Sequence, residues 1–246
     1  MGRLPPASKL MAEAPPKDNK LAASGPLTDL ALTLPIFLAY HLGVVFLPVR
    51  NAADMVTSEL IALSDNNMLA YGGLTVALGA VFVAVLLVLG RGHVLKWERF
   101  AFIALEGVVY AVAMRFAAAY VVGRMFLAGG HSMDPWTGLV MSLGAGFYEE
   151  IAFRVILFGL GARVVLLLLP MLIPMKQKLV TFAWAMVAAA VFSGWHYVGP
   201  YGDPFEAKSF VFRAVCGLVF TIIYPFRGFA PAVWTHALYD IWVLVL

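Results

Sequence analysis

Apolar positions in this chain run on for about 20 residues at a time, the length an α-helix needs to cross the hydrocarbon core of a bilayer. The runs fall at residues 30–49, 68–90, 100–128, 147–169, 180–198, 209–224 and 230–246. They predict about seven transmembrane spans in an all-α, polytopic helical bundle. Ahead of them, residues 1–29 are rich in Pro, Ala and Lys and hold no apolar core of signal-peptide length, which predicts a flexible polar tail and not a cleaved signal. The spans divide into an N-terminal group at 30–128 and a four-span C-terminal core at 136–246. Two boundaries carry their own signals. Asp203, Pro204 and Glu206 have the order of an N-cap, a first-turn proline and a capping acid, and predict the start of the sixth helix there. Gly144-Ala145-Gly146 predicts a break between a short interfacial piece around Trp136 and the fourth span.

Composition strengthens the membrane reading. Hydrophobic residues make up 62% of 246, charged residues 13%, and the mean hydropathy is +0.88, which excludes an ordinary soluble globule. The net charge of +3 is too small and scattered for a nucleic-acid partner. A single cysteine, Cys216, rules out an internal disulfide framework and a Cys-based metal site. Lys and Arg gather in the tail (Arg3, Lys9, Lys17, Lys20) and in alternate loops (Arg91, Lys96, Arg99; Lys176, Lys178; Arg227), against Arg50 and Lys208 on the other side. The positive-inside rule then puts the N-terminus in the cytoplasm and the C-terminus outside. Independently of the charge count, the expected location is a bacterial plasma (inner) membrane.

The chemistry lies in charges that fall within the apolar runs or at their ends: Glu149, Glu150, Arg154, His196, His236 and Asp240. An ionised group at the centre of a lipid-facing helix is unfavourable by about 2.5–3.5 kcal/mol, so these side chains should face each other or a wet cavity. Glu150 and Arg154 are four apart and can pair on one helical face. Glu149 is turned about 100° from that face. His236 and Asp240 repeat the spacing, so a carboxylate can orient the imidazole; Phe192 can pack beside His196 in the same way.

Glu149-Glu150-Ile-Ala-Phe-Arg154 has the form EExxxR, Phe192-Ser-Gly-Trp-His196 the form FxxxH, and His236-Ala-Leu-Tyr-Asp240 the form HxxxN/D. In this order, each on its own apolar run, they resemble the motifs of the CPBP family of intramembrane proteases, the CAAX protease and bacteriocin-processing group that includes the bacterial Abi proteins. The resemblance covers about residues 141–246. It implies that Glu149, with His196, activates a water for attack on a peptide carbonyl, that His236 and Asp240 hold the oxyanion side, and that Glu150, Arg154 and Phe192 support the site. The chain departs from the pattern in one place: many members, the prenyl-endopeptidase branch among them, carry Asn where this chain has Asp240. An ionised Asp cannot donate to an oxyanion; the alternatives are that it orients His236 and keeps it protonated, or that it is protonated itself.

The reading that follows is an intramembrane endopeptidase acting near the membrane boundary on a membrane-anchored or exported protein or peptide, for instance by processing a C-terminal membrane anchor. With alternating spans, Glu149 and His196 fall toward the outer face. The alternatives are a CAAX-type prenyl-protein endopeptidase, a non-catalytic immunity or scaffold protein, and a transporter with a proton relay. The polar set can also be structural glue between helices. Glu149, His196 and His236 could hold zinc, but no HExxH helix is present, and glutamate-activated water accounts for the same residues with neither metal nor organic cofactor. His41 is expected to make helix contacts. Glu106 and Arg115, nine apart, do not share a helical face and are expected to contact other spans. His93 and His131 fall in loops, and Trp97, Trp136, Tyr201 and Trp242 fit interfacial belts.

Overall fold

A computed structural model describes residues 26–89, 98–123, 134–172, 176–199 and 202–246. The polar tail, His93, His131, Trp97 and Tyr201 lie wholly or mostly outside the described residues. Those described are helical, with no strand among them: α1 Pro26–Val44, α2 Val56–Leu63, α3 Met68–Leu89, α4 Glu98–Val122, α5 Pro135–Gly144, α6 Gly161–Leu172, α7 Gln177–Trp195, α8 Ala207–Arg227 and α9 Phe229–Leu244. Among the described residues, six segments are long and apolar enough to cross a membrane. The protein is a polytopic helical membrane bundle.

Three sequence expectations need correction. The run at 230–246 forms α9, a helix of 16 residues, which packs among α1, α4, α5 and α8 and is too short to count as a seventh candidate span. Second, the glycines at 144 and 146 do not break the chain. Helix α5 passes without interruption through π-helical turns at Ala145–Glu149 and Ile151–Leu160 into α6, giving one apolar segment from Pro135 to Leu168. Gly146 instead allows close approach, because a β-carbon there would sit 2.7 Å from Cβ of Ala237 on α9. The real start of this helix is Asp134, whose side chain accepts from the Thr137 N–H at 3.0 Å, with Pro135 in the first turn. Third, α8 begins at Ala207 after an extended Glu206 that makes no side-chain cap. Asp203 bonds elsewhere: its carboxylate pairs with Arg213 at 2.5 Å, and its N–H donates to the His196 carbonyl at 2.9 Å.

Among the described residues, the two largest buried clusters organise the bundle. Ile36, Phe37 and Tyr40 of α1 meet Val140, Phe147, Tyr148 and, from α9, Val233 and Ala237. Met114 of α4, Phe153, Phe192 of α7, Phe212, Cys216 and Phe220 of α8 and Tyr239 of α9 form the other. Outward positions on α3, α4, α6 and α7 are large and apolar, among them Leu87, Leu105, Phe116, Leu167 and Phe182, as a lipid-facing surface requires.

Candidate active site

The long Pro135–Leu168 segment brings three of the site's charged side chains into the space between the two clusters. Glu149 and Glu150 fall where the π-helical stretches meet, about four turns inside the helix. They are not at its mouth, as a helix starting at 147 would have placed them. π-helical turns are rare and concentrate at functional sites; here they set two consecutive carboxylates on either side of one imidazole.

That imidazole is His236 of α9, 3% exposed. Its Nδ1 lies 2.7 Å from Oε1 of Glu150. Its Nε2 lies 3.5 Å from Oδ2 of Asp240 and 4.0 Å from Oε2 of Glu149. Glu150 also pairs with Arg154, Oε2 to Nε, at 3.1 Å, and both side chains are fully buried. The charge of Arg154 is held further by the Gly217 carbonyl at 3.3 Å and by the faces of Phe192 and Phe220, 4.3 and 4.9 Å from the guanidinium carbon. Phe220 stacks on His236, ring centroids 4.6 Å apart and 20° from parallel. Glu149, 7% exposed, accepts from Nδ2 of Asn51 at 2.8 Å through Oε1, while its buried Oε2 makes no hydrogen bond to the protein and faces His236.

His196 caps the end of α7, and its ring packs edge-on to Phe192 at 5.1 Å; Phe192 in turn lies 5.8 Å from the His236 ring. The Phe192 carbonyl is 3.0 Å from Nδ1 of His196. A carbonyl only accepts, so Nδ1 carries the proton and Nε2 of a neutral His196 is an acceptor. The structure therefore gathers Glu149, Glu150, Arg154, His236 and Asp240 into one polar chain, with Phe192 as the spacer that ties His196 to it. A β-carbon at Gly217 would stand 2.7 Å from Phe192, so the glycine gives that ring its seat against α8.

Among the described residues, no three His, Cys, Asp or Glu side chains are arranged to hold a metal ion. The expectations outside the site resolve into contacts. Glu106 forms a two-pronged pair with Arg227 of α8, at 2.5 and 3.1 Å. Arg115 lies over the ring of the exposed Trp242 at 4.6 Å. Trp136 is half exposed. His41, fully buried, sits among the hydroxyls of Tyr148, Tyr71 and Thr57 at 2.5, 3.3 and 3.3 Å. Sequence reasoning missed Asn51, because nothing in a short loop marks an amide as reaching a carboxylate on a distant helix.

A buried pair of glutamates flanking one histidine lies inside the bundle, and the class the structure defines is a polytopic helical membrane protein. Residues 131–242 match the family model described as Type II CAAX prenyl endopeptidase Rce1-like. Over that stretch the chain is similar to the Rce1-like CAAX protease family. No curated protein and no solved structure matches the chain.

Proposed function

We propose that the protein is an intramembrane endopeptidase in which Glu149 activates water. The observation that carries this reading is the carboxylate of Glu149: one oxygen is tied to Asn51, and the other is buried, without a hydrogen bond, and turned toward His236. Such an oxygen is placed to take a proton, and dehydration of the site strengthens each electrostatic contact within it. In the reaction Glu149 takes a proton from water as the oxygen of that water bonds to the peptide carbonyl carbon. His196, with Nε2 as acceptor, shares the same water. His236, fixed at Nδ1 by Glu150, presents Nε2 to the carbonyl oxygen as it becomes an oxyanion. The carbon–nitrogen bond then breaks, and the proton held by Glu149 passes to the leaving amine. Asp240, beside Nε2, helps to hold the imidazole in its protonated, donating form. No metal or organic cofactor enters these steps.

The depth of Glu149 within its helix supports a substrate that enters the membrane, such as an anchored protein whose C-terminal anchor is removed or a peptide processed during export. A prenylated C-terminal tail is the second reading, and the family match favours it; Asp240 at the motif's last position weighs against it. The experiment compares protein termini, by mass spectrometry, in cells carrying the wild-type chain or Glu149→Gln at matched membrane abundance. Termini present only with the wild type support the protease, and their position relative to a membrane anchor or a prenylated cysteine separates the two substrates. Identical termini in both strains would turn the reading to a scaffold or immunity protein.

A further inference from the structure

Part of the site comes from outside the family-matched stretch. Asn51 lies in the connection between α1 and α2, is 7% exposed, and donates from Nδ2 to Oε1 of Glu149 at 2.8 Å. Its Oδ1 accepts from the Ala53 N–H at 2.9 Å, an Asx turn that settles which end of the amide faces the carboxylate. The backbone is fixed as well. The Asn51 N–H donates to the Tyr40 hydroxyl at 3.2 Å, Tyr40 donates to Oδ2 of Asp54 at 2.7 Å, and Oδ1 of Asp54 accepts from the Thr57 N–H at 3.0 Å. Tyr40 and Asp54 are both buried. The loop that carries Asn51 is thus anchored to α1 and to the start of α2 by polar contacts that exclude water.

We infer that Asn51 is a positioning residue of the hydrolytic site: its amide pins one oxygen of Glu149, so that Oε2 alone is presented to water and substrate. The terminal torsion of a free glutamate is broad and roughly two-fold. A donor fixed on Oε1 removes that freedom and keeps Oε2 on the His236 side. The N-terminal helices are then part of the catalytic architecture and not only a membrane anchor. This inference rests on Glu149 acting as the base.

The test uses full-length protein in cell membranes at matched abundance, following the rate at which Glu149-dependent termini appear. Asn51→Asp is close to isosteric and keeps the acceptor for Ala53, but sets an oxygen against Glu149. Asn51→Ser keeps a turn-forming hydroxyl that is too short to reach Glu149. Loss of a hydrogen bond to a charged group is worth about 10- to 100-fold, so Asn51→Ser should slow the appearance of termini about tenfold and Asn51→Asp more. Leaving Oε1 of the buried Glu149 unpaired also lowers the melting temperature of the detergent-solubilised Asn51→Ser protein, so rates are compared well below its unfolding range. The loss should fall on turnover, so overexpressing the cleaved protein does not restore the rate. Should Asn51→Asp fail to accumulate, Asn51→Ser decides alone. Wild-type rates in the Asn51 variants while Glu149→Gln abolishes the termini would overturn the role of Asn51 and leave the protease standing. Unchanged termini in Glu149→Gln would overturn both.

Discussion

Nδ1 of His236 and Oε1 of Glu150 are 2.7 Å apart, with both side chains out of reach of solvent. Glu150 is therefore more than the partner of Arg154: one of its oxygens holds the arginine and the other fixes the histidine. The spacing of the last motif had named Asp240 as the residue that orients His236. The structure places Asp240 on the opposite nitrogen, at 3.5 Å, and gives the short contact to Glu150.

Removing one member of this buried pair should unfold the protein more than removing both. Arg154→Met leaves Glu150 charged with only His236 beside it, and a broken buried ion pair costs about 3–5 kcal/mol. Arg154→Met combined with Glu150→Gln should recover most of that, since the glutamine carbonyl can still accept from Nδ1 of His236. Thermal unfolding of the solubilised protein measures both, and a double variant no more stable than Arg154→Met would contradict the argument.

Glu149→Gln should behave differently. Oε2 of Glu149 has no hydrogen-bond partner in the protein, and a glutamine can keep one contact to the Asn51 side chain. Unfolding should therefore stay within about 1 kcal/mol of wild type, the scale of one ordinary hydrogen bond. New protein termini should vanish nonetheless.

Asp240 separates orientation from donation. Asp240→Asn keeps the shape and supplies an N–H toward the space that Nε2 of His236 faces, so the rate of terminus formation should remain within about tenfold of wild type. Asp240→Leu removes the carboxylate that helps keep His236 protonated, so His236 is weakened as the oxyanion-side donor and the rate should fall by about 100- to 1,000-fold. Equal rates in Asp240→Leu and wild type would remove Asp240 from the site.

Gly217→Ala should act through Phe192. The added methyl group meets that ring at 2.7 Å, and the ring both faces Arg154 and separates His196 from His236. Overpacking of this kind costs about 1–3 kcal/mol. Stability by thermal melting and the rate of terminus formation should fall together, and Phe192→Leu in the same background should return part of the stability.

His41→Leu tests the other polar cluster. Three hydroxyls lose their shared partner in a buried place, and each unsatisfied group costs about 1–3 kcal/mol. Thermal unfolding should show a loss of at least the lower figure. Tyr148→Phe, which removes a single hydroxyl, should be milder.

Much of this was legible in the chain. Long apolar runs can be satisfied in a bilayer only by helices that bond their own backbone, so the fold class followed from composition and run length. Charges stranded within those runs had to find one another, and spacings of four residues named Glu150 with Arg154 and His236 with Asp240 as neighbours. The same local logic went astray at 144–146 and 203–206. A glycine in a run signals either a break or a close approach, and an Asp-Pro near a helix start signals either a cap or a loop contact. The neighbour that decides between them, Ala237 in one case and Arg213 in the other, is far away in sequence.

What the sequence determined by itself was therefore whatever depends on the solvent and on a single helix: a polytopic α-helical bundle, the residues that could not face lipid, and the pairs one turn apart. Tertiary structure decided what depends on which helices meet. It set Glu149 and Glu150 toward opposite nitrogens of one histidine, tied His196 to the site through Phe192, and brought Asn51 from the α1–α2 connection onto Glu149. Periodicity fixes a side chain's direction about its own axis, whereas a hydrogen bond across 98 residues exists only once packing has brought the two backbones to contact distance.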